Sequence, residues 1–292
     1  MSLRPLLQFR KATGTLTVLR ERVRREGVDP AKLHRSTVPA GFGVPDSFAG
    51  VPVAFPDRPK AVLLDVGGVF FVPLHDRILG AFDRAGCAPD ADILDRAHYA
   101  GACAFPARDD EREWAERWHA YLEGFIVACD IPEDQREEVH AHLDSEFADA
   151  ALWFRELPGC RDGLRQLAAT GVRLGIISNA DGVIGQRLAE AELLQVGPGI
   201  GVEVDCVIDS GAVGVAKPDP RIFELALDAM SIEPGDAWYV GDMPGIDVVG
   251  ARAAGLFPVV MDPYEFHLDA DYARVASLAE LASRIEPSAT TS

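Results

Sequence analysis

Lysine is nearly absent: the 292 residues contain four, and Lys and Arg together number 28 against 46 Asp and Glu, for a formal net charge of −18. That deficit argues against non-specific binding of nucleic acid or of an anionic membrane by the body of the protein. Any phosphate site must therefore be locally positive. Cysteine is also scarce. Its five copies, Cys87, Cys103, Cys129, Cys160 and Cys206, are odd in number and scattered, with no Cys-x-x-Cys pair and no Cys/His cluster of zinc spacing, as expected of a reduced chain. No apolar stretch approaches the roughly 18 residues of a membrane span, and the basic start lacks the apolar run of a secretory signal. These absences lead us to expect a soluble, cytoplasmic protein. What remains, 48% hydrophobic and 25% charged, is ordinary globular composition, enough for one large or two modest domains.

Charge is unevenly placed. Residues 1–60 hold 11 Lys and Arg against 5 Asp and Glu, while the other 232 carry 17 basic and 41 acidic residues. Leu16–Arg25 reads as a short basic helix and the Pro/Gly-rich run Val38–Pro59 as an extended linker. Residues 1–59 are thus expected to form an N-terminal extension that packs on its own domain, rather than a partner-binding arm.

From Lys60 the pattern changes to short apolar runs separated by helical stretches, the signature of a parallel sheet covered on both faces. The expected strands are Ala61–Val66, Val172–Ser178, Cys206–Asp209, Ala237–Gly241 and Pro258–Met261. Between the first two, His75–Ala85, Ala91–Ala102, Glu111–Cys129 and Pro132–Phe147 read as amphipathic helices. Within the third of these, Trp114, Trp118, Tyr121, Leu122 and Phe125 recur at helical spacing and are expected in a core rather than in a ligand box. The expectation is an α/β fold: a Rossmann-like parallel sheet formed by residues 60–74 and 155–292, with a helical cap inserted at 75–154. No internal repeat is present, and the Ser/Thr-containing tail after Glu286 is expected to be disordered.

Four segments carry chemistry. The apolar strand Ala61-Val62-Leu63-Leu64 delivers Asp65 into the turn Val66-Gly67-Gly68-Val69, at the sheet edge where α/β folds bind ligands. An acid ending a buried strand is costly without a cation or donors, although many such residues merely cap helices. Leu174–Asn179 is a second strand ending in a hydroxyl and an amide, Ser178 and Asn179, followed by a helix whose amides can face an anion. Lys217 stands in Gly214-Val215-Ala216-Lys217-Pro218-Asp219-Pro220, just before a Pro-started helix. Trp238–Asp247 supplies a strand, a turn and two acids, Asp242 and Asp247, five residues apart.

Together these motifs resemble, in order and spacing, the haloacid-dehalogenase superfamily, in the subgroup with a helical cap after the first strand. The similarity covers roughly residues 60–285. It implies that Asp65 is a nucleophile forming an aspartyl-phosphate. It further implies that Asp65, the Gly67 carbonyl and Asp242 ligate Mg²⁺, with Asp247 as an outer or water-mediated ligand. Ser178, Asn179 and Lys217 would bind the phosphate of a small-molecule phosphate ester, and Lys217 would offset the crowded negative charge. Both a monomer and a homodimer are compatible with the sequence.

One position departs from the pattern. Two residues after the nucleophile, phosphatases of this superfamily usually carry a second Asp as acid/base, a group typically worth about 10²–10⁴ in rate. This chain has Gly67. Three readings compete: the leaving group needs little protonation, as with an anomeric sugar phosphate or acyl phosphate; another residue, His75 or Asp76, substitutes; or the chain binds phosphate as a catalytically weak, regulatory protein. A haloacid-type dehalogenase is the remaining alternative. It would need no metal, and it usually carries an aromatic residue at the Gly67 position.

Overall fold

The computed structural model describes residues 53–106 and 113–285. The basic helix expected at Leu16–Arg25, most of the linker, and the tail after Glu286 lie outside the described residues. The chain runs β1 (Ala61–Leu64), β2 (Phe71–Val72), α1 (His75–Arg84), α2 (Leu94–Ala104), α3 (Trp114–Ala128), α4 (Arg136–Phe147), β3 (Arg155–Glu156), α5 (Cys160–Ala169) and β4 (Arg173–Ser178). It continues through α6 (Ile184–Glu190), β5 (Leu194–Val196), β6 (Val202–Val204), β7 (Cys206–Asp209), α7 (Ser210–Val213) and α8 (Pro220–Met230). It ends with β8 (Ala237–Gly241), α9 (Asp247–Ala253), β9 (Phe257–Met261), β10 (Ala273–Val275) and α10 (Leu278–Arg284).

Six strands form one sheet in the order β10-β9-β8-β1-β4-β7, and every pairing in it is parallel. The near-continuous apolar runs are explained by burial on both faces. Val62 and Leu64 of β1 join Leu174, Ile176, Trp238 and Val240 in the cluster on one face. Ala61 and Leu63 alternate to the other, with Ile177, Phe223 and Tyr239. The register sets Leu64 beside Ile176 on one side and Val240 on the other. The strand ends bearing Asp65, Ser178 and Asp242 therefore lie at one edge.

Helices α1–α4 form the cap around a core of their own, including Phe82, Tyr121, Leu122, Phe125 and Phe147. The Trp118 ring stacks on Tyr121 at 4.6 Å, and Phe147 meets Trp118, Tyr121, Phe125 and Trp153 edge-on. The expected core role thus holds for Tyr121, Leu122 and Phe125, and for Trp118 as a partly buried neighbour. Trp114 departs from it: half-exposed at the start of α3, it leans on Phe105 at 5.5 Å. The chain enters the cap from β2 and leaves it into β3, and these two strands pair antiparallel, Phe71 with Glu156 and Val72 with Arg155.

Strand and helix boundaries shift from expectation at their ends. β1 stops at Leu64; Asp65 N still donates to Val240 O at 2.8 Å, and beyond it the chain enters the turn, Asp65 Oδ1 accepting from Val66 N at 2.7 Å. The second cap helix begins at Leu94 after a 3₁₀ turn at Ala91–Ile93. Residues 53–59 have no regular structure, yet Phe55 packs on Trp238 and Phe257 at 5.2 and 6.0 Å, so this part of the expected linker is anchored to the sheet. Strands β2, β3, β5, β6 and β10 were not expected. At two or three residues each, they are too short to show periodicity.

Packing of α2 on α3 requires Gly101, where a Cβ would stand 2.7 Å from the Tyr121 carbonyl oxygen. Alanine normally favours a helix over glycine by about 1 kcal/mol. Here Gly101→Ala is expected to destabilise the protein by about 1–3 kcal/mol instead, because the backbone must move. Urea denaturation checks the sign; a variant as stable as wild type would show that α2 and α3 are not in this contact.

Candidate active site

Alternation along β1 sends residues 61, 63 and 65 to the same face, so Asp65 emerges on the side that carries Tyr239. The turn that follows is closed by Phe70 N donating to Val66 O at 2.9 Å and Gly68 N donating to Phe71 O at 2.8 Å. Gly68 has φ +64°, and a Cβ there would lie 2.2 Å from Asp242 Cγ. Only glycine meets both demands, and the consequence is a backbone pressed directly against the Asp242 carboxylate.

Lys217 joins the acids. Its Nζ stands 2.6 Å from Asp65 Oδ2 and 2.9 Å from Asp247 Oδ1, and it donates to Tyr239 Oη at 2.7 Å. The Lys217–Pro218 peptide is cis. Asn179 fixes the residue from the backbone: its Nδ2 donates to Lys217 O at 3.0 Å, and its Oδ1 accepts from Lys217 N at 2.8 Å. The Asn179 side chain, expected on a phosphate, is thereby occupied in holding the lysine loop. Ser178, buried at the end of β4, remains at the same sheet edge as Asp65.

The carboxylates of Asp65, Asp242 and Asp247 are all buried, and one oxygen from each lies within 4.8 Å of the others. Burial is the largest influence on Asp65 and pushes it up to about 7; Lys217 opposes this while Asp247 and Asp242 add to it. Asp242 is raised by the same desolvation, against His98. The Lys217 ammonium is held above its ordinary value, because Asp247 and Asp65 outweigh its own desolvation. Three buried acids thus face one lysine and one histidine. Asp242 Oδ2 is buried without a hydrogen-bond partner. Both Asp247 oxygens are hydrogen-bonded: Oδ1 accepts from Lys217 and Tyr239, and Oδ2 from Met243 N at 2.9 Å.

Three cap or sheet residues here were not foreseen. His98 of α2, fully buried, brings Nε2 to 2.9 Å from Asp242 Oδ2, close enough for an ion pair but without hydrogen-bond alignment, while its Nδ1 lies 2.8 Å from Tyr121 Oη. Tyr99 donates its hydroxyl to Gly68 O at 2.7 Å. Both belong to a helix whose sequence shows only amphipathicity. Tyr239 was accessible to reasoning, since a hydroxyl inside a buried strand requires a partner. His75, a candidate acid/base, instead pairs through Nε2 with Asp95 at 2.8 Å, beside Arg155, which binds the same carboxylate; Asp76 is exposed in the first turn of α1.

A parallel α/β core bearing a strand-end aspartate, a lysine and two further acids under a helical cap defines a hydrolase-type site. The model of the haloacid dehalogenase-like hydrolase family matches residues 59–255, and the chain belongs to that family. Among its relatives, the phosphoserine phosphatase of Thermus thermophilus is 32% identical over 213 residues, 70% of this chain and 81% of that protein. Human haloacid dehalogenase-like hydrolase domain-containing protein 3 is 38% identical over 127 residues, 41% of this chain and 47% of that one. The phosphoglycolate phosphatase of Rhodospirillum rubrum is 35% identical over 125 residues, 43% and 47% respectively. The chain thus matches about half the length of these last two.

Removing the ammonium isolates the acids. Lys217→Met is expected to lower the unfolding free energy by about 3–5 kcal/mol in metal-free buffer, the scale for leaving buried charges unpaired. Chemical denaturation with EDTA present measures this, and a loss below about 1 kcal/mol would mean that the acids do not depend on Lys217.

Proposed function

We propose that the protein is a Mg²⁺-dependent phosphohydrolase that removes phosphate from a small phosphorylated metabolite through an aspartyl-phosphate on Asp65. The observation that carries this reading is the contact of Lys217 Nζ with both Asp65 and Asp247, which unites motifs from three separated segments at one sheet edge. Relatives described as phosphoserine and phosphoglycolate phosphatases support the substrate class.

A divalent cation fits the donor set. Asp242 Oδ2 makes no aligned hydrogen bond, and one oxygen from each of the three acids lies within 4.8 Å of the others; oxygen donors of this kind suit a hard divalent cation. Asp65, the Gly67 carbonyl and Asp242 would hold Mg²⁺, while Asp247, both of whose oxygens already accept from protein donors, would act from outside the inner shell. When bound, Mg²⁺ neutralises charge on the transferring phosphoryl group.

The chain's own groups account for the rest. Asp65 is oriented by Val66 N on one oxygen and by Lys217 on the other. One carboxylate oxygen attacks phosphorus in line as the bond to the leaving oxygen breaks; water then attacks the aspartyl-phosphate, releasing inorganic phosphate and Asp65. Lys217, Ser178 and the backbone amides near Asn179 hold the phosphate oxygens.

Gly67 leaves the leaving group without an acid from this turn. A Cβ at Gly67 would meet the Trp153 ring at 3.9 Å, an ordinary contact, so the deficit is chemical and not steric. We therefore place sugar-1-phosphates, acyl phosphates and other good leaving groups first among substrates. Five free thiols, four of them buried, support a reduced cytoplasmic setting, and the net charge of −18 disfavours nucleic-acid substrates. Among the described residues no helix is long and apolar enough to cross a membrane.

With Mg²⁺, purified protein is expected to release phosphate from at least one class in a panel of alcohol, sugar and acyl phosphates, and Asp65→Asn to lower that rate by about 10³-fold or more. Wild-type release no greater than that of Asp65→Asn across the whole panel would reject turnover and leave a phosphate-binding protein. Gly67→Asp is expected to raise turnover of poor alcohol leaving groups by about tenfold or more, and of good ones by less. A uniform change along a leaving-group series would remove Gly67 as the source of the preference.

A further inference from the structure

The loop between the two acids of the site belongs to the cap as much as to the sheet. Met243 and Ile246, which lie between Asp242 and Asp247, pack into the hydrophobic cluster of the cap together with Tyr121 and Phe125. From the sheet side, the loop is held by Met243 N donating to Asp247 Oδ2 and by Asp247 N donating to Met243 O at 2.8 Å. From the cap side, it is held by Arg117 of α3, only 4% exposed. One Arg117 nitrogen, Nη2, donates to Gly245 O at 3.0 Å and also to Pro106 O at 2.9 Å, and Nε reaches Pro106 O at 3.0 Å. The guanidinium lies over the Phe105 ring at 4.5 Å.

The backbones touch where this guanidinium bridges them. A Cβ on Gly245 would fall 2.4 Å from Pro106 O, so the loop docks against the cap with no room for a side chain. A guanidinium is permanently charged and presents its donors in a fixed plane. It therefore sets the spacing of the Gly245 and Pro106 carbonyls, which lie on opposite sides of the cap–sheet boundary. The same cap also places His98 against Asp242 and the Tyr99 hydroxyl on Gly68 O. Three cap residues thus converge on the two loops that carry the acids.

We infer that Arg117 is a positioning residue that couples docking of the cap to the geometry of the Asp242–Asp247 loop, so that a divalent cation and the docked cap stabilise each other. The inference rests on the metal-dependent reading above. It goes beyond that reading by assigning part of the cation affinity to a residue that touches neither the cation nor the phosphate. Coupling of this kind is reciprocal: whatever the docked cap adds to cation affinity, the cation returns to cap docking by the same factor.

The test uses the full chain stripped with EDTA and titrated with Mg²⁺ alone in a calorimeter, followed by hydrogen exchange of α3 with and without Mg²⁺. Wild type is expected to bind, and Mg²⁺ to slow exchange across residues 114–128. Arg117→Met is expected to bind about tenfold more weakly and to lose the Mg²⁺-dependent protection of α3, with Arg117→Lys in between. Gly245→Ala removes no polar group and displaces the same contact, so it should weaken binding too, and it carries the comparison should Arg117→Met fail to fold. Wild-type affinity in both Arg117→Met and Gly245→Ala, or a wild-type α3 whose exchange ignores Mg²⁺, overturns the coupling while leaving the metal site standing. A wild-type chain that binds no Mg²⁺ overturns the metal-dependent reading itself, and the coupling with it.

Discussion

Three carboxylates share a buried space at the edge of the sheet, and one ammonium stands between two of them. Without Lys217 the arrangement would be a concentration of like charge in a medium that screens poorly. Much of the surrounding structure serves to hold that ammonium in place. Asn179 grips both polar groups of the lysine's own peptide, Tyr239 accepts from Nζ, and α8 is pinned beneath by Phe223, whose ring meets Tyr239 edge-on at 4.9 Å. A buried salt bridge is weak support for stability, because desolvation offsets attraction. Its value here is geometric: it fixes Asp65 and Asp247 on either side of one ammonium.

The reach of the sequence can be judged residue by residue. Asp65, Ser178 and Asp242 could be placed together because each ends or follows a segment whose apolar run identifies it as a parallel strand, and such strands are forced to present their carboxyl ends together; Lys217 and Asp247 entered through the order and spacing of their motifs. The sheet was legible for the same reason. His98, Tyr99 and Arg117 were not, since their importance arises from the docking of the cap helices against two loops far away in sequence. Nothing in the spacing of α2 or α3 distinguishes a face that meets solvent from one that meets a carboxylate. Trp114 shows the opposite failure: helical spacing placed it in the core, and the helix start left it half outside.

Asn179 marks a subtler limit. Its position after Ser178 was informative, but the sequence did not show that both its side-chain polar atoms hold the lysine loop. Pattern reading locates a residue at a site; the accounting of donors and acceptors assigns its task. The same accounting separates Asp242 from Asp247: both Asp247 oxygens accept hydrogen bonds, whereas Asp242 Oδ2 has His98 Nε2 at 2.9 Å without hydrogen-bond alignment.

The two-residue ladder of β2 and β3 has a modular consequence. Val72 and Arg155 are paired across it, so the ends of the whole helical insertion stand only about 5 Å apart, as antiparallel partners do. The six-stranded sheet does not need the insertion to connect its strands, and each halving of the intervening segment would return about 0.6 kcal/mol of closure entropy. Lineages could therefore exchange, enlarge or trim the covering element at this doorway without disturbing the register beneath it. The same juncture is a natural splice point for grafting a different lid onto an unchanged sheet, provided that the new lid supplies its own partners for Gly68, Asp242 and Gly245.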